Sequence, residues 1–166
     1  IHQVQYVVNQ LIRDQNSRQA VMTIWVMNPM QTKDFACTLS LQFMIRDHKL
    51  HTFVNMRSND LWLGRPYDMF NFTIMTLRIL TYLNESAPET FNSDIPIGLG
   101  DLHLNVASAH LYMPNVDASS RMVSTQPDKV TSKVPERALM DWKFVVDSLL
   151  ACRDMTDTTG LWAIRP

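Results

Sequence analysis

A chain of 166 residues that is 46% hydrophobic can bury one sizeable core, so one domain is the default reading. A net charge of -1 gives no electrostatic footprint for nucleic acid or an anionic membrane surface, and no apolar run approaches a bilayer span. The expectation is a cytoplasmic protein that binds neither nucleic acid nor membrane and keeps Cys37 and Cys152 as reduced thiols.

Val4, Val8, Leu11 and Ile12 have the spacing of one helical face, which Asp14 to Arg18 interrupts. Ala20 to Trp25 reads as a buried strand, and Asn28-Pro29 as a turn. Cys37–Arg46 and Leu50–Arg57 are strand-like runs joined by the short polar link Asp47–Lys49, which predicts an antiparallel hairpin. Gly64, Arg65 and Pro66 form a loop into a second helix that presents Phe70, Ile74 and Leu77. Residues 84–98 read as a loop. Leu102–Tyr112 alternates like one strand and sends Ser108, His110 and Tyr112 to a single side. Residues 114–135 are polar and punctuated by proline. Pro135 and Glu136 then open a third helix with an apolar stripe of Leu139, Trp142, Val146 and Leu149. Three helices and at least four strands predict an α+β fold.

Single residues decide little. Cys37 alone suits a small buried hydrophobe, Arg57 a surface charge, and His110 a half-buried imidazole. No Ser/His/Asp order, phosphate-cradling glycine loop or metal-ligand spacing appears, so no metal is expected.

An ordered series of segments carries more weight. Asn16-Ser17-Arg18-Gln19 precedes Trp25, and Cys37 precedes Gln42-Phe43. Arg57-Ser58-Asn59-Asp60, Leu63-Gly64-Arg65-Pro66-Tyr67-Asp68 and His110-Leu111-Tyr112 follow. Over residues 1–113 this series resembles the thymidylate synthase family. It is similar above all to the phage deoxycytidylate hydroxymethylase branch, through Asp34-Phe35-x-Cys37-Thr38, Ile45-Arg46-Asp47, Val54–Asp60 and Asn105–His110. That branch has aspartate where thymidylate synthases have asparagine, and this chain has Asp68. His103, in Gly100-Asp101-Leu102-His103, imitates a family histidine, but only the His110 alignment also supplies the tyrosine.

The resemblance implies a thymidylate synthase-like mixed sheet packed with helices, here the C-terminal portion of that fold. Residues 1–113 would form the catalytic core and 114–166 a divergent segment with one helix. It implies transfer of a hydroxymethyl group from 5,10-methylenetetrahydrofolate to dCMP, in a homodimer and, for a phage-encoded protein, in the bacterial host cytoplasm. Cys37 would be the nucleophile, activated by nearby arginines. Arg57 and Ser58 would hold the phosphate, and Arg18 would reach the partner's phosphate. Gln42 and Asp60 would order the ring and its waters, while His110 and Tyr112 would hold the ribose hydroxyl.

Asp68 would read the base: a carboxylate accepts from the cytosine amine, and a protonated carboxyl donates to the ring nitrogen. A loop or helix-cap role is the local alternative for Asp68. Sharing a pocket with Gln42 requires Cys37 to precede the regular strand or to sit at a bulge.

The family's N-terminal half, with a catalytic glutamate, a further phosphate arginine and a tryptophan, has no counterpart here. The chain opens at Ile1 without methionine, which suggests a fragment or a processed product. Gln19 also replaces the second arginine of the family signature. Two alternatives follow: a thymidylate synthase or deoxyuridylate hydroxymethylase, and a non-enzymatic subunit that dimerises with a complete chain.

Overall fold

A computed structural model describes residues 3–28, 31–86 and 95–125. The chain divides into two compact units, Ile1–Pro127 and Asp128–Pro166. The second unit, with the helix expected after Pro135, lies outside the described residues.

The first unit begins with α1 (Gln3–Arg13), which buries Val4, Val7, Val8 and Leu11. Four strands follow: β1 (Val21–Thr23), β2 (Thr38–Arg46), β3 (Lys49–Met56) and β4 (Asn59–Asp60). Then come α2 (Gly64–Ser86), β5 (Gly98–Val106), β6 (Ala109–His110), a 3-10 turn (Met113–Asn115) and α3 (Val116–Ser124). The main sheet has the order β1-β2-β3-β5, and β4 and β6 form a small second sheet. The result is the α+β architecture that the sequence predicts.

β2 and β3 pair antiparallel. Asp47 and His48, the two residues between them, have φ of 50° and 61°. Positive φ at both central positions is what a tight two-residue hairpin turn requires, because its twist then matches that of the strands. β5 joins β3 in parallel, a pairing that needs a crossover, and α2 supplies it. The core lies between the helices and one face of the sheet. Leu41, Phe43 and Ile45 of β2 and Leu50, Val54 and Met56 of β3 are buried there with Phe72, Leu77, Ile79, Leu80 and Leu83 of α2. Thr52 and Thr76 are also buried and bond each other through their hydroxyls at 2.8 Å, while Thr76 donates to the Phe72 carbonyl.

Four expectations are corrected. β1 covers only Val21–Thr23, and Ile24 is exposed because this is an edge strand. The loop foreseen at Gly64–Pro66 is the first turn of α2, where a proline is tolerated. Phe70, grouped on one face of that helix with Ile74 and Leu77, is 56% exposed where Leu77 is buried; Phe72 takes the inward position. The run Leu102–Tyr112 is not one strand. β5 ends at Val106, and β6 pairs instead with β4. α3 is an element that the polar composition of 114–135 did not suggest. No described helix is long and apolar enough to cross a membrane.

Candidate active site

Cys37 stands immediately before β2, where the strand is irregular. Thr38 pairs with Met56 and Ser40 with Asn55, so Leu39 is an extra residue against β3. An inserted residue reverses the inward-outward alternation. Cys37 is thereby phased with Ser40 and Gln42 rather than with the core residues Leu41 and Phe43. The distortion is tied on both flanks: the Leu39 carbonyl accepts from the Ile24 and Trp25 amides at 2.9 and 3.2 Å, and the Cys37 carbonyl from the Arg57 amide at 2.9 Å.

The Arg57 side chain reinforces this segment. Its Nη2 donates to the Phe35 carbonyl at 2.8 Å and its Nε to the Ala36 carbonyl at 3.1 Å, the two residues preceding Cys37. The guanidinium also lies 5.9 Å from the Trp25 ring centroid, and Trp25 meets Phe35 edge-on at 4.7 Å. Of the five guanidinium N–H groups, the two used here leave three for a ligand.

Ser58, next along the chain, contacts His110 Nδ1 through its hydroxyl at 3.2 Å. The small sheet makes that contact: Asp60 pairs with His110, the Asn59 amide donates to the Ser108 carbonyl, and the Leu61 amide to the His110 carbonyl. Tyr112 reaches the same place, its ring edge-on to His110 at 5.0 Å, and is itself largely exposed.

Both carboxylate oxygens of Asp60 accept backbone amides, from Trp62 at 3.0 Å and Leu63 at 3.3 Å, and so shape the turn that starts α2. Asp68 is inside α2, one turn along, which removes the loop or cap reading; Asp60 is the aspartate that organises the turn. Asn59, 2% exposed, donates to Asp68 Oδ2 at 2.6 Å. Burial raises the Asp68 pKa above 3.8, and the Asn59 hydrogen bond partly opposes the rise. A Cβ on Gly64 would lie 3.3 Å from Asp60 Cβ and 3.9 Å from both Asn59 Nδ2 and Asp68 Oδ2, so these groups share one corner.

The structure thus brings Cys37, Arg57, Ser58, Asp60, Asp68, His110 and Tyr112 into one connected region. Gln42 and Arg18 form a separate group, in which Gln42 Nε2 donates to the Arg18 carbonyl at 2.9 Å. Arg18 lines an open cleft of about 610 Å³ with Arg13 and Arg46, away from the Cys37 end of β2. Sequence reasoning missed Asn59 as the partner of Asp68; its place inside the Arg57–Asp60 run was the available signal.

Comparison with known proteins shows the family and the fold. The profile of the family described as "Thymidylate synthase" matches residues 1–144. Thymidylate synthase 1 of Bacillus spizizenii and the thymidylate synthase of Bacillus phage phi3T are each 27% identical over 120 residues. In both cases the match covers 70% of this chain and 38% of the relative. The chain therefore spans less than half the length of these relatives. Among solved structures, thermostable thymidylate synthase A from Bacillus subtilis superposes with a TM-score of 0.61 at 24% identity, covering 75% of this chain and 41% of that one.

Proposed function

The chain belongs to the thymidylate synthase family, and on that premise we propose that it is the nucleophile-bearing part of a transferase that hydroxymethylates dCMP at position 5. The observation that carries the choice of base is Asp68: a carboxyl raised in pKa by burial and held by Asn59 in the corner that also contains Asp60. Such a group takes a proton more readily than an ordinary aspartate. It can then donate to the unprotonated cytosine ring nitrogen, while its other oxygen accepts from the exocyclic amine.

In this reading the Cys37 thiolate adds to carbon 6 of the ring, and the resulting enamine makes carbon 5 a nucleophile. Arg57, with three N–H groups left, and Ser58 hold the phosphate, and His110 with Tyr112 holds the ribose hydroxyl. 5,10-Methylenetetrahydrofolate supplies the one-carbon unit. Leu63, Tyr67 and Phe70 suit such a flat donor: they recur at four- and three-residue spacing beside Asp68 and are 58, 71 and 56% exposed. Loss of the carbon-5 proton and departure of tetrahydrofolate would leave an exocyclic methylene on the base; water would add its hydroxyl there and give its proton to solvent, and expulsion of the Cys37 thiolate would restore the ring double bond of the hydroxymethyl product.

The homodimer of this reading would use the outer face of the main sheet, which carries Ser40, Gln42, Asn55 and Asn105. That face carries a polar ladder in which Asn55 donates to Ser40 and Asn105 to Asn55. Arg18 would then serve the second copy's phosphate.

The test uses the full-length protein with dCMP or dUMP and the folate donor, followed by mass analysis of the product. Hydroxymethylated dCMP is expected. Asp68→Asn should move preference toward dUMP by about 1–3 kcal/mol, the worth of one matched base contact. A methylated base with dihydrofolate overturns the proposal in favour of a thymidylate synthase, the activity named for the relatives above.

A further inference from the structure

We propose that Asn59 is a positioning residue for Asp68: its side-chain amide makes Oδ2 the acceptor end of that carboxyl and leaves Oδ1 as the end that carries the proton. The backbone fixes where Asn59 stands. Its amide donates to the Ser108 carbonyl at 3.0 Å, the small sheet pairs it with Ala109, and its side chain is 2% exposed. From there Nδ2 donates to Asp68 Oδ2 at 2.6 Å and lies 3.6 Å from Met56 Sδ. Oδ1 of the same amide is buried with no hydrogen-bond partner. A buried acceptor without a donor is costly, and a leucine of similar shape would avoid that cost. Packing alone therefore does not favour asparagine here; the donation to Asp68 does. Turning the amide over would set its carbonyl oxygen against Asp68 Oδ2 and the Met56 sulfur, an arrangement of acceptors alone unless the proton moves to Oδ2.

The two oxygens of Asp68 are thereby made different. A protonated carboxyl has one hydroxyl oxygen and one carbonyl oxygen, and the carbonyl oxygen is the better acceptor. The short bond from Asn59 therefore favours the carbonyl at Oδ2 and the O–H at Oδ1. Oδ1 of Asp68 is not sealed off either: among the described residues, the buried side-chain atoms without a partner are Asn59 Oδ1 and Arg78 Nε. The consequence for specificity rests on the reading of Asp68 as the residue that meets the base. A hydroxyl on Oδ1 can donate to the unprotonated ring nitrogen of cytosine, whereas the ring N–H of uracil would meet a second donor. Through Asp68, Asn59 would then fix which way the pyrimidine edge lies against α2.

Two measurements keep this inference apart from the reading it rests on. The first needs no substrate and no variant: NMR follows the Asn59 side-chain amide of the full chain through the titration of the Asp68 carboxyl. The proton bonded to Oδ2 should keep its downfield, exchange-protected signal on both sides of that titration. Loss of the signal as Asp68 protonates would place the proton on Oδ2 and overturn the inference. In Asn59→Leu, shown to be folded by circular dichroism, the Asp68 carboxyl should titrate at higher pH, because the bond that favours its charge is gone. An unmoved titration in the folded variant also overturns it. The second measurement compares dCMP with dUMP in the full-length protein. Asn59→Leu should lower kcat/KM for dCMP relative to dUMP by about tenfold, the worth of one matched base contact, and should shift the pH profile for dCMP upward with the Asp68 titration. An unchanged preference and profile remove Asn59 from specificity. If Asp68→Asn itself leaves the preference between the bases unchanged, the base reading fails, and the NMR titration still decides the role of Asn59 at Asp68.

Discussion

The Asn59 side-chain amide donates to Asp68 Oδ2 at 2.6 Å, linking the short strand that follows Ser58 to the second turn of α2. The bond joins two residues nine apart and leaves Asn59 Oδ1 buried without a hydrogen-bond partner. A carboxyl placed this way answers two opposing influences: burial disfavours its charge, and the Asn59 donor favours it less strongly.

Because the folded-state pKa of Asp68 is raised above 3.8, the native chain holds this proton more tightly than the unfolded chain. The associated stability is fully present below the unfolded value and declines as pH rises through the raised folded value. Asp68→Asn has no proton to lose, so it should gain stability relative to the native chain between acid and neutral pH. Urea unfolding at a series of pH values measures this. Identical pH profiles for the two proteins would show that Asp68 does not titrate with folding.

Asp60 is expected to be a structural residue as well as a ligand-facing one, since both of its oxygens accept backbone amides in the turn before α2. Asp60→Ala should cost about 0.5–2 kcal/mol, the usual range for a lost cap. Asp60→Asn should recover part of that, because the amide oxygen still accepts one of the two bonds. Thermal unfolding of both variants checks this ordering. A destabilisation equal in the two would point to loss of charge rather than loss of the turn.

The sequence reading succeeded where one local pattern governs an element and failed where two patterns overlap. The α1 face and the Asp47-His48 turn were legible because spacing and turn chemistry act over a few residues. α2 carries two apolar rows, one through Phe70 and Ile74 and another through Phe72, Ile79 and Leu83; periodicity cannot say which one meets the sheet. Alternation runs unbroken through Ala107 and Ser108, although the chain leaves the main sheet there to pair with β4. At the site, the family pattern brought Cys37, Arg57 and His110 to notice. The Asn59–Asp68 bond depends on register and on a helix start, which no spacing rule encodes.

Arg57 is expected to hold the approach to Cys37 in place even without nucleotide, through the Phe35 and Ala36 carbonyls and the Trp25 ring. Arg57→Ala should cost about 1.5 kcal/mol, the low end for hydrogen bonds from a charged group, because both bonds are exposed. Hydrogen exchange should accelerate at residues 35–38, with the β3–β5 pairing unchanged. Arg57→Lys keeps the charge but cannot make the forked pair of bonds, so its exchange pattern should resemble that of alanine. Protection equal to that of the native chain in either variant would show that the backbone bonds at Cys37 and Leu39 hold the segment unaided.

Arg18 presents the opposite case, a residue proposed for the site that its own chain places elsewhere. Its carbonyl is bound by Gln42, and its side chain lines the cleft with Arg13 and Arg46 rather than the Cys37 corner. A role at the phosphate therefore calls for a second copy. In full-length protein, Cys37→Ser alone and Arg18→Ala alone should each lose most activity. Mixing them under subunit exchange should restore roughly a quarter of native activity, because the heterodimers make up about half of the random mixture and hold one intact site of two. That site draws Cys37 from one chain and Arg18 from the other. Exchange is monitored independently by mass or by a fluorescent label. Restored activity that tracks heterodimer formation places Arg18 in the partner's site, whereas complete exchange without recovery assigns Arg18 to its own chain, beside Arg13 and Arg46.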